Sequence, residues 1–184
     1  MAKWIFEPGH TAAQFSARHM MVTNVRGHFK NVEGKLDFDP DNLAGSSVEV
    51  TIDATGIWTG EEARDGHLKS ADFLDVENNP RILFKANKVE LTGAHDFTFT
   101  GDLTIRGVTR EAALAITWLG SWETPWWEGD EDKGPRTRAG FVATTSINRH
   151  DFGVSWNGPL DKGGVVVGDT VHITIDAEAI WEGP

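Results

Sequence analysis

Hydrophobic and polar residues alternate with a period of two along most of the chain. In VEVTIDA, Val48, Val50, Ile52 and Ala54 share one face, and Glu49, Thr51 and Asp53 share the other. FTFTGDLTI groups Phe97, Phe99, Leu103 and Ile105; ALAITW groups Leu114, Ile116 and Trp118; FVATTSI groups Phe141, Ala143, Thr145 and Ile147. VHITIDAEA groups Val171, Ile173, Ile175, Ala177 and Ala179, and AAQFSARH groups Ala13, Phe15, Ala17 and His19. Successive side chains of a strand point to opposite faces, so each stretch predicts a strand with one side in a core and one in water.

Two stretches change phase. Val25, Gly27 and Phe29 have one parity, while Val32, Leu36 and Phe38 have the other, which predicts a bulge near Lys30 to Val32. ILFKANKVEL slips between Phe84 and Val89. Helical spacing occurs in EEARDGHLKSADFL, where Ala63, His67 and Leu68 predict a short helix, followed by the stop at Asn78–Pro80. WETPWWEGDEDKGPRTR carries two prolines, three tryptophans and an acidic run, and reads as a long surface hairpin connection with an aromatic base. About eight strands, with no βαβ rhythm and no internal repeat, predict an all-β sandwich or barrel. One domain is expected over residues 1–184.

Composition narrows this picture. The 184 residues are 39% hydrophobic, enough for a core. A net charge of −11 argues against nucleic acid as a partner, because counterion displacement needs a basic face. Charge is uneven, with four Lys/Arg against one Glu from Ser16 to Lys35. The absence of cysteine excludes disulfides and thiolate chemistry. MAKWIFEPGH lacks the apolar core of a secretory signal, and no apolar run approaches the roughly 18 residues that span a bilayer. A soluble, cytoplasmic protein without stable membrane insertion is expected.

Candidate chemistry is sparse. The phosphate-binding glycine loop, His-Glu-x-x-His and Gly-x-Ser-x-Gly are all missing. His10, His19 and His28 are spaced by nine but differ in parity, with no carboxylate pair at ligand spacing, so no metal is expected. No cofactor is expected either. His19 has two readings: a core histidine with one partner, or a polar group at the mouth of an apolar cavity. Met20 and Met21 are either gap fillers or an adaptable wall. Arg149, His150 and Asp151 suggest an ion pair at a strand end before they suggest acid–base chemistry, because strand neighbours point apart. Phe152 and Trp156 follow at a position suited to a cavity opening.

Five motifs stand in order along the chain: Trp4-x-Phe6-x3-His10-Thr11-x3-Phe15-x3-His19, Val25-x-Gly27-x-Phe29, Asp65-x-His67-Leu68-x3-Asp72-Phe73-Leu74-Asp75-Val76-x3-Pro80, GDLTIRGVT (Gly101 to Thr109) and INRHDFG (Ile147 to Gly153). In these the chain resembles the YceI-like family of polyisoprenoid-binding proteins. The resemblance implies an elongated eight-stranded antiparallel lipocalin-like β-barrel with one or two short helices. It implies a non-enzymatic carrier, often a homodimer, whose interior holds a polyisoprenoid, an isoprenoid quinone or a fatty amide. Many relatives carry a secretory signal, so their periplasmic placement is not carried over. In such a barrel the tail would meet Phe15, Ala17, Val25, Phe29, Phe84, Phe99, Trp118, Phe152 and Trp156. Met20 and Met21 would adapt to it, and Arg18, His19 and Arg149, with Arg26, would meet the head group. Two other classes stay open: an enzyme using His19 or Arg149 with Asp151, and a filled-barrel interaction domain presenting Trp122, Trp126 and Trp127.

Overall fold

Each alternating segment becomes a stave of one sheet that closes on itself. The computed structural model describes residues 3–39, 42 and 45–183. In chain order these hold β1 (Lys3–Phe6), β2 (Ala12–His19), β3 (Thr23–Phe29), β4 (Val32–Asp37) and β5 (Ser47–Asp53). The helix α1 (Glu62–Lys69) follows, then β6 (Arg81–Leu91), β7 (Asp96–Ile105), β8 (Val108–Glu128), β9 (Glu131–Asn148) and β10 (Val167–Gly183). All pairings are antiparallel, in the order β1-β4-β5-β6-β7-β8-β9-β10-β2-β3, and a β1–β10 pairing closes an eight-stranded barrel. Among the described residues, no helix is long and apolar enough to cross a membrane.

Ten strands make an eight-stranded barrel because two staves are broken. The C-terminal part of β10 pairs with β1 (Ile180 opposite Ile5), and its N-terminal part pairs with β2 (Ile173 opposite Phe15). The β1–β2 corner is strapped to β10 where the two meet. Glu7 N donates to Glu178 O at 2.9 Å, and Thr11 Oγ1 donates to the same carbonyl at 3.3 Å. The second break replaces the bulge expected near Lys30: β3 ends and β4 begins around Asn31, which has a φ of 58°. The slip in β6 does occur, at Ala86/Lys88.

WETPWWEGDEDKGPRTR is not a loop. β8 and β9 continue through it as a paired ribbon, with Trp122 opposite Arg138 and Thr124 opposite Arg136. The guanidiniums of Arg138 and Arg136 lie 5.1 and 5.6 Å from the Trp126 ring centre. These cation–π contacts hold a ribbon that its prolines weaken, and the register shifts between Pro125 and Trp127.

The barrel is packed solid toward the end that carries this ribbon. Phe38 stacks on Phe97 at 5.3 Å and meets Phe141 edge-on at 5.4 Å and Trp118 at 6.0 Å. Each such ring contributes roughly 1.5–3 kcal/mol by leaving water. The other half is different. There the barrel end is covered by segments that leave and rejoin the sheet.

Candidate functional site

A cavity of about 180 Å³ lies in that second half. Its wall takes Ala13, Phe15 and Ala17 from β2, Phe29 from β3 and Phe84 from β6, with Ile173 and Ile175 from β10. The volume is roughly ten times what one water needs, so it is no packing flaw.

Two covers roof the cavity. The first is α1 and the turn after it, which supply Leu68, Phe73 and Leu74. Acidic residues in the first turn and His67 and Lys69 in the last suit the helix dipole. The helix is pinned by buried Asp65, whose Oδ1 accepts from Thr59 N at 2.9 Å and Thr59 Oγ1 at 2.5 Å. Trp58 in turn exchanges backbone hydrogen bonds with His28 of β3. The second cover is the 3-10 turn Arg149–Phe152 and the residues after it, which supply Phe152 and Val154. The covers meet through His67, Phe73 and Trp156, whose rings lie 4.8–5.4 Å apart.

Arg149 is the charged residue in this wall, and it is 3% exposed. Its Nε donates to Gly168 O at 2.9 Å, and Nη1 donates to Val154 O at 2.7 Å and Trp156 O at 2.9 Å. Nη2 donates to Val167 O at 3.2 Å. Four of five N–H groups are thus spent on main-chain carbonyls. Burial pulls the guanidinium below its ordinary pKa, opposed by the charge of Asp169, but an arginine stays protonated. Arg149 therefore knits the second cover to β10.

The other polar side chains at the wall are also turned away. Thr145 Oγ1 donates to Ala113 O at 2.9 Å, and Gln14 Nε2 reaches Asp176 Oδ2 at 3.3 Å. The cavity surface is hydrocarbon. A polar head group gains little inside it and stays at the rim, whereas an apolar chain loses nothing by entering.

The sequence-expected residues divide cleanly. Phe15, Ala17, Phe29, Phe84, Arg149 and Phe152 line the cavity. Phe99 does not: it is 1% exposed and packed against Phe97. Trp118 lies in the solid half, against Phe38 and His95. Trp156 sits on the roof over Phe73 rather than in the wall. Val25 pairs with Ala17 but is not in the wall. His19, half-buried, ends β2 opposite Thr23 and Val167, one step past the lining face. Arg18 is exposed and donates to Met21 O at 2.9 Å. Met20 and Met21 form no soft wall; they stand in solvent on the β2–β3 turn, 46% and 53% exposed.

Asp151 is exposed on the 3-10 turn, while Arg149 spends its donors on carbonyls. His150 instead reaches Asp169 at 2.9 Å and Ser155 at 3.1 Å. The three evenly spaced histidines do not converge. His28 packs on Trp58 at 4.9 Å, and His10 lies 3.1 Å from Glu7 and 3.2 Å from Glu178. No carboxylate or His pair at ligand spacing is expected from the sequence; the fold nevertheless sets a carboxylate pair at His10, because Glu178 arrives from β10 beside Glu7. Arg138 binds the other oxygen of Glu178, so this cluster straps the corner already described.

The sequence reading does not place Leu68, Phe73 and Leu74 in the lining, where the structure puts them. Their signal was present in DGHLKSADFL, an apolar face on a short, weakly periodic helix, but periodicity does not say that a helix covers a barrel. Ile173 and Ile175 did carry the alternation signal.

Comparison with known proteins places this arrangement. A YceI-like domain model matches residues 4–179. A UPF0312 protein of Staphylococcus epidermidis is 33% identical over 178 residues, covering 97% of both chains. A UPF0312 protein of Pseudomonas putida is 32% identical over 95% of this chain and 83% of its own. Among solved structures, the Campylobacter jejuni YceI protein superposes with a TM-score of 0.72 at 27% identity, covering 89% of this chain and 88% of that one. A polyisoprenoid-binding domain from Saccharophagus degradans shares the fold at 13% identity, with a TM-score of 0.64 and 98% coverage of both chains.

Proposed function

Because the chain belongs to the YceI-like family and its barrel encloses a hydrocarbon-walled cavity, we propose that it is a non-enzymatic carrier of a long-chain apolar lipid. A polyisoprenoid, an isoprenoid quinone or a fatty amide fits this chemistry. The observation that carries the reading is that Gln14, Thr145 and Arg149 at the wall are hydrogen-bonded within the protein, which leaves a hydrocarbon surface suited to a tail. A structural neighbour named for polyisoprenoid binding supports the same class. The cavity is smaller than the roughly 300–1,000 Å³ of drug-sized pockets, which favours one slender chain over a broad ring system.

Energetics define what such a carrier does. A five-carbon prenyl unit gains about 4 kcal/mol on leaving water at ~0.8 kcal/mol per methylene. The ligand starts in a bilayer, though, where its tail is already in hydrocarbon. Net transfer is then near zero, and burial makes the lipid portable rather than tightly held. Selectivity falls to chain length and to the rim that meets the head group.

An enzyme built on His19 or on Arg149 with Asp151 has weaker support, because His19 is outside the wall and Asp151 faces solvent. Pairing of two copies belongs to the proposed reading, and light scattering on the purified protein tests it. The carrier reading is tested by organic extraction of the purified protein and mass spectrometry of the extract. A stoichiometric long-chain lipid is expected. A lipid-free protein that takes up no added fluorescent fatty acid overturns the reading.

A further inference from the structure

The β2–β3 turn is built in a way that folding alone does not ask for. Val22 N donates to His19 O at 3.1 Å, closing a two-residue reversal on Met20 and Met21. Both methionines have left-handed backbones, with φ of 46° and 63°. Such a reversal favours Asn-Gly, because a Cβ crowds the following carbonyl there. Here it carries two long apolar side chains instead, and Val22 follows them at 78% exposure. Strain spent on exposing three apolar residues in a row points to a contact outside the molecule.

The surroundings say what that contact is. Arg18 and Arg26 are exposed on the two strands leading to the turn, and no acid occurs between Arg18 and Lys30. On the loop beside it, Asp161 is followed by Lys162, and Asp169 is engaged by His150. In a chain of net charge −11 these two strands form a local cationic flank; the α1 cover carries exposed Glu61 and Glu62, so an anionic surface is met by the turn and not by the covers. The turn is also continuous with the cavity end of the barrel. Met20 N donates to Val166 O at 2.7 Å, and the next residue, Val167, lines the cavity. The opposite end also exposes tryptophans, Trp122 and Trp127, but its ribbon carries Glu128, Asp130, Glu131 and Asp132, which an anionic surface repels.

We infer that the β2–β3 turn is a membrane-contact tip. Met20, Met21 and Val22 enter the interfacial layer of an anionic bilayer while Arg18 and Arg26 face its head groups. The barrel is thereby set with its cavity end against the surface that supplies the ligand. Flexible thioethers suit an irregular lipid surface, and a short apolar tip with a cationic flank gives reversible rather than permanent attachment. The inference rests on the carrier reading for its purpose, but its contact can be measured without a ligand.

The test uses the double variant Met20→Asn, Met21→Gly, which suits the reversal better and therefore keeps the fold; an unchanged or raised melting temperature checks this. Wild type is expected to co-sediment with mixed phosphatidylcholine–phosphatidylglycerol vesicles and much less with phosphatidylcholine alone. The double variant is expected to lose roughly fivefold or more of that binding, and a similar factor in the rate of fluorescent-lipid pickup from vesicles. Its affinity for a fluorescent fatty acid added from solution should stay unchanged, and Trp127→Ser should behave as wild type. A wild type that ignores mixed vesicles, or a double variant that binds them normally, overturns the tip. So does loss of vesicle binding in Trp127→Ser alone. If wild type binds vesicles through the tip yet takes up no fatty acid, the carrier reading fails while the contact stands.

Discussion

Arg106 and Gly153 lie 47 residues apart and are joined by a 2.8 Å hydrogen bond from the Arg106 guanidinium to the Gly153 carbonyl. The other terminal nitrogen of Arg106 donates to Ala71 O at 2.7 Å. Ala71 follows α1 and Gly153 follows the 3-10 turn, so one side chain on the β7–β8 turn ties the two cavity covers together.

Arg106→Ala should therefore loosen the roof without emptying the core. The two bonds are on a partly exposed side chain, so a loss of about 1 kcal/mol is expected in urea unfolding. The more specific outcome is faster release of a bound fluorescent fatty acid, read by stopped-flow dilution. Release at the wild-type rate would mean that the ligand does not pass between the covers.

Arg149→Met should be far more costly. It removes the Arg149 donors from the carbonyls of Val154, Trp156 and Gly168, while Val167 O keeps its bond from Asn157 Nδ2 at 2.8 Å. A destabilisation of about 3–5 kcal/mol is expected by chemical denaturation. Arg149→Lys should recover only part of it, because one ammonium has three donors and no planar fork.

Two glycines should respond in opposite directions. A Cβ at Gly27 would lie 2.5 Å from Phe15 Cζ and 2.8 Å from Thr59 Cγ2. Gly27→Ala should cost about 1–3 kcal/mol and displace Phe15 in the cavity wall, lowering fatty-acid affinity. At Gly66 in α1 an added Cβ meets nothing within 4 Å. Gly66→Ala should stabilise by roughly 0.5–1 kcal/mol, seen as a higher melting temperature.

The outer face of the sheet sets a pH dependence. Glu49 lies 2.6 Å from Lys85 and 3.0 Å from Lys35, and these bonds hold its carboxyl below the ordinary value of 4.5. The pKa of Lys85 is raised above 10.5 by the same carboxylate. The Glu49 contribution is thus fully present above pH 4.5 and is lost as pH falls through the lowered folded value. The Lys85 contribution is fully present below pH 10.5 and is lost as pH rises through the raised one. Thermal melts of wild type and Glu49→Gln should differ most between these limits and converge in acid.

Much of the barrel was legible because period-two alternation maps directly onto its inward faces, as Phe97, Phe99, Leu103 and Ile105 illustrate. The site was legible only in part, for a physical reason. Inward residues of all staves look alike in sequence, but a closed barrel has two halves. Phe99 fell in the solid half and Phe84 in the hollow one, a difference set by barrel height and not by parity. His19 shows the same limit: it has the parity of Phe15 and Ala17 but lies beyond the cavity. In sequence the Trp-rich ribbon reads as a surface hairpin connection because its prolines and acids resemble a loop, whereas Arg136 and Arg138, which support Trp126, come from the partner strand.

The central claim is that the hydrocarbon-walled cavity, and not the outer surface, holds the ligand. Titration of a fluorescent long-chain fatty acid into wild type and into Ile173→Trp tests it most directly, because Ile173 lines the cavity and an indole there projects into it and narrows it. With the fold verified by circular dichroism, saturable one-to-one binding by wild type and at least about tenfold weaker binding by Ile173→Trp are expected, a loss of about 1.4 kcal/mol or more. Equal binding by the two proteins would contradict the claim.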